Sequence, residues 1–213
     1  RAGKLQILQR GRQREGHQGL DRIAARARER GDAVGGAVHH VIVIARSPAT
    51  GGEAYELTYR AFNFAEQYRS PVFVLTSKEI GVMRESVDLD AIELPPLVER
   101  QRAADDQEYL PHRFDRPADV PEISDFGGAH IARYTTSTHD QAALLTSKPA
   151  VIQEMIDHYE AKINAAVDDL TLVKRDFQEN AETLIISFGI TSRSAAVAVR
   201  EARARGIRVS SLV

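Results

Sequence analysis

The stretch that decides the fold is residues 41–75, VIVIARSPATGGEAYELTYRAFNFAEQYRSPVFVL. Its opening run Val41–Ala45 is short, apolar and mostly β-branched, which predicts a buried strand. Thr50 and Glu53 have the spacing of a capping box at the start of a helix. The helix that follows carries one apolar stripe: Ala54, Leu57, Ala61, Phe64, Ala65 and Tyr68. A second apolar run, Val72–Leu75, predicts another buried strand, and strand, helix and strand in this order build a parallel sheet.

Residues 85–147 show no sustained apolar period and predict an irregular arm. Five prolines are spread through this acidic and polar stretch: Pro95, Pro96, Pro111, Pro117 and Pro121. A segment of this length without its own helices or strands is typical of a linker or a functional arm. Four large apolar side chains predict that the arm packs on a surface, of this chain or of a partner, rather than extending freely: Phe114, Phe126, Ile131 and Tyr134.

A long amphipathic helix is predicted directly after the arm. Ser147 is a candidate N-cap, and Pro149 lies just inside the helix start, where proline is tolerated. The helix extends to about Leu170 along one apolar stripe: Ile152, Met155, Ile156, Tyr159, Ile163 and Ala166.

A second strand–helix–strand unit follows this helix. The strand Thr183–Phe188 ends at Gly189, and Ser192 is a candidate cap for the next helix. That helix has apolar positions at Ala195, Ala196, Val199 and Ala202. It ends at Gly206, and Ile207–Val213 predicts the next strand. The sequence therefore predicts an α/β chain built from two βαβ units and an arm.

Composition excludes several classes of protein and site. The 213 residues include no cysteine, so they hold neither a disulfide framework nor a thiolate-ligated metal or iron–sulfur site of their own. The formal net charge of −2 does not indicate a nucleic-acid-binding surface. No apolar run approaches the roughly 20 residues of a membrane span. The chain begins at Arg1 rather than at methionine, so we expect it to be part of a longer protein.

Two glycine-containing segments are candidate anion sites. The turn Phe188–Ser192 offers backbone amides and hydroxyls between a strand and a helix, although it is also the ordinary sequence of a tight turn. The segment Gln9–Gly19 combines three arginines with three glycines, and arginine forks suit carboxylates and phosphates. A flexible, disordered head is the alternative interpretation of that second stretch.

The histidines give no metal-site spacing. His39 and His40 are adjacent and would face opposite sides of a strand, and His158 is interpreted as part of a solvated helix surface. His139 and Asp140 lie in the arm, where local hydrogen bonding of a turn is the alternative to a site.

Three stretches, in this order, resemble the α subunit of 2-oxoacid:ferredoxin oxidoreductases. They are Ser47–Leu75, the arm from Tyr109 to Asp140 with the helix that ends near Ile163, and Leu184–Val209. The order and spacing of the three stretches carry the resemblance, which covers about residues 40–213. The family's Tyr-Pro-Ile-Thr-Pro motif is absent from this sequence. Of the family's Arg-Gly-Gly-Pro-Ser-Thr-Gly loop, only Arg10 and Gly11 match here.

The resemblance implies both a fold and a reaction. Residues 1–84 would be the C-terminal part of a thiamine-pyrimidine-binding-like domain, residues 85–147 the extended arm, and residues 148–213 a helix with the start of a transketolase-C-terminal-like domain. The implied reaction is oxidative decarboxylation of a 2-oxoacid to an acyl-coenzyme A. Arg10 and Gly11 would contact cofactor or substrate.

The implied cofactor is thiamine diphosphate with Mg²⁺, shared with a partner subunit. Electrons would pass through iron–sulfur clusters of a partner chain to ferredoxin, in a cytoplasmic homo- or hetero-oligomer that includes a β subunit. No nucleic acid and no membrane are expected as partners. Such a chain would be active only in the complex, because the cofactor supplies the electron sink and lies between subunits.

Two other functions are compatible with the residues. The chain could be a non-catalytic α/β interaction module that docks a partner through the arm. It could also be a nucleotide-binding protein that uses the turn Gly189–Ser192.

Overall fold

The structure is a computed structural model that describes residues 6–9, 44–135 and 137–213. The loop with Arg10 and Gly11 lies outside the described residues, as do His39 and His40.

The described residues form an α/β structure with six strands and five helices, in two sheets. The strands are β1 Gln6–Gln9, β2 Ile44–Arg46, β3 Val72–Val74, β4 Arg175–Asp176, β5 Thr183–Ile186 and β6 Val209–Leu212. The helices are α1 Gly51–Tyr68, α2 Lys78–Val82, α3 Pro149–Ala165, α4 Val167–Leu170 and α5 Thr191–Ala204. Among these helices, none combines the length and the apolar character that a bilayer crossing requires.

The first βαβ unit is present and its strands are parallel, as predicted. Ile44 of β2 pairs with Val72 of β3, and Arg46 pairs with Val74. The prediction that both strands are buried is wrong, because Phe73 is 48% exposed and Ala45 is also exposed. Alternate residues of a strand face opposite sides of a sheet, and α1 covers one side only.

Helix α1 begins at the predicted capping residues. The Thr50 hydroxyl accepts a hydrogen bond from the Glu53 backbone N–H at 3.0 Å. The Glu53 carboxylate accepts from the N–H of Ala49 at 2.8 Å, one residue before the usual capping-box partner. At the other end of the stripe, Phe64 and Tyr68 are buried. They form the first core with Ile44, Ala166 and Leu170.

The second unit forms a four-stranded sheet in the order β1-β5-β6-β4. Strands β5 and β6 are parallel, while β1 and β4 pair antiparallel at the two edges. Helix α5 packs on this sheet through Ala195 and Val199, which meet Ile185 and Val209 in the second core. Strand β1 pairs with β5, so part of the segment 1–84 lies in the second sheet. The division into residues 1–84, 85–147 and 148–213 stays a prediction.

Two predicted helix caps are wrong. Lys148, not Ser147, is the N-cap of α3, and no side chain bonds to the first turn there. Pro149 is nevertheless the first helical residue, and its missing N–H removes one of the groups that a cap would satisfy. Ser192 lies inside α5 rather than before it, and its hydroxyl donates to the carbonyl of Gly189 at 2.8 Å.

The arm, residues 85–147, contains no helix or strand among its described residues, as predicted. Two isolated bridges, Arg102 with Ile123 and His139 with Leu145, are its regular backbone pairs. The predicted packing holds for Phe114, whose ring lies parallel to that of His158 at 4.0 Å. Two other apolar side chains of the arm are exposed in this chain: Phe126 by 76% and Ile131 by 95%.

Candidate functional site

The two βαβ units meet at the carboxyl ends of their strands. The loop after β2 approaches the turn after β5 so closely that a Cβ atom on Gly189 would lie 2.6 Å from the Ser47 hydroxyl oxygen. Gly189 also has a left-handed φ of 59°, which favours glycine. Ligands of open α/β sheets bind outside the carboxyl ends of the strands, so this junction is where the topology places a site.

Charged side chains at the junction are paired with each other and with backbone groups. Glu53 forms an ion pair with Lys174. Burial raises the pKa of Glu53, but hydrogen bonds from Lys174 and the Ala49 N–H lower it more, so the pKa lies below its ordinary value. Glu85 accepts from the N–H of Gly51 at 2.6 Å and lies 3.5 Å from the Arg193 guanidinium. Glu85 therefore links the start of the arm to α1 and to α5.

The Glu85 carboxylate therefore lies at the N-terminus of α1. A helix N-terminus attracts negative charge because its first N–H groups have no helical partners. Here the Glu85 carboxylate bonds the first of them, on Gly51. At the neighbouring turn, the Ser192 hydroxyl is buried and bonded to Gly189, so the geometry favours a structural turn over the predicted anion site.

A second group of polar side chains lies where the arm crosses α3 and the end of α1. We call it the arm cluster, and it consists of Arg69, His112, His139, His158, Tyr159 and Lys162.

His158 is the most buried member of the arm cluster, with 1% of its surface exposed. Its Nδ1 lies 2.9 Å from the carbonyl oxygen of Pro117, and its ring stacks on Phe114. The prediction of a solvated surface histidine is wrong. His158 and Lys162 follow the buried Met155 at i+3 and i+7, so they lie on the same helix face as that core residue.

His139 and His112 form the arm's side of the cluster. Their ring centroids are 4.1 Å apart. His139 Nδ1 lies 2.9 Å from the Asp140 carbonyl oxygen, and its Nε2 lies 3.3 Å from the Tyr159 hydroxyl. The Asp140 carboxylate accepts from the N–H groups of Ala142 and Leu144, which is the predicted local turn bonding.

Arg69 and Lys162 bring positive charge to the same place. The Arg69 guanidinium donates to the carbonyls of Pro111 and Glu122, and the Lys162 ammonium donates to the carbonyl of Arg69 at 3.3 Å. Burial, together with the nearby Arg69 charge, lowers the pKa of Lys162 to about 8. Burial and the neighbouring positive groups also lower the pKa of His112, to about 3.

The sequence interpretation found only part of this arrangement. His139 was singled out as a candidate and lies in the arm cluster, whereas His112, Arg69 and Lys162 were missed. The helical spacing of His158 and Lys162 from Met155 is a signal that would have placed both in the interior. Over residues 44–135 and 137–213, no group of three or more His, Asp or Glu side chains is placed to bind a metal ion.

A comparison of the sequence with known protein families identifies the family of this chain. Residues 21–158 match the family described as pyruvate flavodoxin/ferredoxin oxidoreductase, thiamine diphosphate-binding. The chain belongs to this family. The match covers the first βαβ unit and the arm and ends within α3, which confirms the resemblance seen in the sequence.

Relatives with assigned names belong to the same class of oxidoreductase. The chain is 35% identical over 173 residues to the 2-oxoglutarate synthase subunit KorA of Methanothermobacter thermautotrophicus, which is 80% of this chain and 45% of that subunit. It is 32% identical over 169 residues to the KorA subunit of Methanocaldococcus jannaschii, 78% of this chain and 44% of that subunit. The chain therefore spans less than half the length of the relatives it matches.

A solved structure has the same fold. The 2-oxoglutarate:ferredoxin oxidoreductase from Magnetococcus marinus, with 2-oxoglutarate, coenzyme A and succinyl-CoA bound, superposes with a TM-score of 0.64 at 17% identity. The superposition covers 80% of this chain and 30% of that one. The α/β fold with parallel strands is confirmed; a separate transketolase-C-terminal-like domain stays a prediction.

Proposed function

We propose that the chain is part of the α subunit of a thiamine-diphosphate-dependent 2-oxoacid:ferredoxin oxidoreductase. The single observation that supports this is the family match over residues 21–158, together with 35% identity to a 2-oxoglutarate synthase subunit. The reaction would be oxidative decarboxylation of a 2-oxoacid to its acyl-coenzyme A, with electrons passed to ferredoxin. Bound thiamine diphosphate would supply the electron sink for the decarboxylation.

The substrate we propose is 2-oxoglutarate. Relatives named as 2-oxoglutarate synthase subunits are 32–35% identical to the chain, whereas those named as ketoisovalerate oxidoreductase subunits are 29% identical. Pyruvate and branched-chain 2-oxoacids are the competing substrates of the proposal.

The described residues do not fit the diphosphate–magnesium end of the cofactor. The N-terminus of α1 is bonded to Glu85, and the metal-binding groups would have to come from elsewhere. We propose that a β subunit holds the diphosphate with Mg²⁺, and that partner chains carry the iron–sulfur clusters, since these 213 residues contain no cysteine.

In this proposal the chain's own residues orient the parts of the complex. Gly189 allows the two units to touch, Glu85 fixes the arm at the junction, and Arg69 fixes the middle of the arm to α1. Arg10 and Gly11 stay proposed contacts to cofactor or substrate. A cytoplasmic hetero-oligomer with ferredoxin as electron acceptor completes the proposal.

The test is to purify the full α subunit together with its β subunit and to measure coenzyme A-dependent reduction of ferredoxin or methyl viologen. We expect turnover that requires added thiamine diphosphate and is fastest with 2-oxoglutarate, slower with pyruvate and 2-oxoisovalerate. A complex that assembles but neither binds thiamine diphosphate nor reduces the acceptor would contradict the proposal and favour a non-catalytic interaction module. Faster turnover of another 2-oxoacid would contradict the substrate assignment alone.

A further inference from the structure

Two imidazoles of the arm cluster, His112 and His158, lie where the arm packs against α1 and α3. Each has a buried ring nitrogen that would have no hydrogen-bond acceptor if it were protonated. On His158, the 2.9 Å contact from Nδ1 to the Pro117 carbonyl requires the proton to be on Nδ1. The other nitrogen, Nε2, is buried and has no hydrogen-bond partner. A second proton would therefore create a buried N–H without an acceptor, together with a buried positive charge.

His112 has the same difficulty from the arm side. Its Nε2 is also buried without a partner. The groups that act electrostatically on His112 come from all three elements around it, and all are cationic or imidazole: His139 of the arm, Arg69 at the end of α1, and Lys162 and His158 of α3. Burial and these neighbours oppose a charge on His112.

The carboxylate that acts on His158 is already engaged. Burial opposes protonation of His158 most strongly, and Lys162 and Arg69 add to this, whereas the hydrogen bond to the Pro117 carbonyl and the Asp119 carboxylate favour it. The Asp119 oxygens accept from the backbone N–H and the guanidinium of Arg116, both at 2.9 Å. Burial dominates, so the pKa of His158 lies below its ordinary value.

We propose that the arm is a pH-dependent latch, which is docked on α1 and α3 while His112 and His158 are neutral and which is released when they take up protons. The neutral rings pack on Phe114 and His139, and His158 binds the Pro117 carbonyl. Release exposes both rings to water, where an imidazole can carry its charge.

The sign of the effect follows from linkage. A histidine with an ordinary pKa near 6.5 when released and a lowered pKa when docked binds more protons in the released state. Docking is therefore favoured above about pH 6.5 and is lost as the pH falls below it. At pH 5, His112 alone shifts the balance towards release by about thirtyfold, and His158 adds to this shift.

Hydrogen exchange measured by mass spectrometry tests the latch directly. We compare protection factors, corrected for intrinsic exchange, at pH 8 and pH 5 for peptides from the arm, residues 107–122, and from α5, residues 191–204. We expect arm protection to fall at least tenfold at pH 5, while protection of α5 changes less than threefold. Equal protection of the arm at both pH values would overturn the proposal, and so would a parallel loss in α5, which would indicate global unfolding.

Two variants assign the effect to the cluster. His112→Phe keeps a flat ring without a titrating group, and we expect it to reduce the pH dependence of arm protection. His130→Gln is the matched control, because His130 lies in the arm and bonds to Ser124 and Gln107. It should leave the pH dependence unchanged; the reverse result for the two variants would overturn the assignment. If His112→Phe does not fold, histidine chemical shifts of the wild-type chain provide the second measurement. Protonation of His112 should coincide with the loss of arm protection as the pH falls, and a His112 that becomes protonated while the arm stays protected would overturn the proposal.

Discussion

The βαβ units and the arm satisfy their backbone polar groups in different ways. In the units, strands pair with strands: four residue pairs join β5 to β6, and three join β2 to β3. In the arm, many carbonyls and N–H groups bind side chains that reach out from the helices. Arg69 alone donates to the carbonyls of Pro111, Pro121 and Glu122.

The difference follows from composition. Prolines lack the N–H that a ladder needs, and the arm contains five of them, so regular pairing with a neighbouring strand is interrupted. Buried carbonyls must still find donors. Polar side chains of α1 and α3, and Arg69 at the end of α1, provide these donors. A small number of side-chain hydrogen bonds therefore does what strand pairing does in the units. The arm should therefore be far more sensitive to single polar substitutions than the units are.

The largest effect should come from Arg69→Ala. Removing the guanidinium leaves up to three arm carbonyls without their donor, and each unsatisfied buried group costs about 1–3 kcal/mol. We expect a loss of about 4 kcal/mol in the free energy of unfolding, measured by urea denaturation. Arg60→Ala is the matched control, because Arg60 forms a surface pair with Glu56 on the same helix and should cost at most about 0.5 kcal/mol.

A backbone contribution at Arg69 must be separated from that of the side chain. Arg69 has a left-handed φ of 46°, a conformation that glycine adopts without strain. Arg69→Gly should therefore be less destabilising than Arg69→Ala by about 1 kcal/mol. If both variants are as stable as wild type, the arm does not depend on this arginine, and the contrast between arm and units is wrong.

The next largest effect should lie between the units, at Gly189. Gly189→Ala forces a side chain into a left-handed backbone and places its Cβ against the Ser47 hydroxyl, so we expect a loss of about 3 kcal/mol. Gly206→Ala meets the same backbone restriction at φ 78° with no atom within 4 Å, and it should cost about 1 kcal/mol. The difference between the melting curves of Gly189→Ala and Gly206→Ala isolates the cost of the close contact between the two units.

A Ser47→Ala background sharpens this test. Without the hydroxyl, the added Cβ has room, and the cost of Gly189→Ala should fall towards that of Gly206→Ala. An unchanged cost would mean that the close approach of the units does not limit position 189.

How much the sequence could predict differs between the same two regions. The first βαβ unit follows from local patterns: a β-branched run, the Thr50–Glu53 capping spacing and an apolar stripe. The arm's irregularity was equally visible from its prolines. Its contacts were not, because the arm binds residues that are distant in sequence: Arg69 reaches Glu122, and His158 reaches Pro117. No single-sequence period reports such pairs.

Burial was the other weak point of sequence interpretation. Apolar runs were taken to be buried, yet Phe73 is 48% exposed because α1 covers one side of a two-stranded sheet. His158 was taken to be solvated, yet it is buried, and so are Asn63 and Lys162. Asn63 and His158 bond to backbone groups of the arm. A polar residue that shares a helix face with core residues is therefore a useful indication of a polar anchor.

Asn63 provides an intermediate test of the arm's dependence on such anchors. Its side chain donates to the Pro96 carbonyl at 2.8 Å and accepts from the Val98 N–H at 3.1 Å. Asn63→Leu should cost about 2 kcal/mol, since it leaves both backbone groups unpaired. Its neighbour Phe62 is 69% exposed, and Phe62→Ala should change stability by at most about 0.5 kcal/mol. A larger loss of stability for Phe62→Ala than for Asn63→Leu, measured by the same urea titration, would contradict the proposed order of effects.

The smallest effect should come from Tyr68, a buried core residue whose side chain forms a hydrogen bond between two helices. The Tyr68 hydroxyl donates to the Asp169 carboxylate and so ties α1 to α4. Tyr68→Phe keeps the ring in the core and should cost about 1 kcal/mol at pH 7.

The pH dependence of that variant identifies its cause. Burial and the Asp169 hydrogen bond raise the pKa of Tyr68 to about 12, from an ordinary value near 10. Between these values the folded chain keeps a proton that the unfolded chain has lost, so this contribution to stability is complete below pH 10 and disappears towards pH 12. Wild type should therefore lose its advantage over Tyr68→Phe across that range. A difference that stays constant up to pH 12 would show that ring packing, rather than the bond to Asp169, joins the two helices.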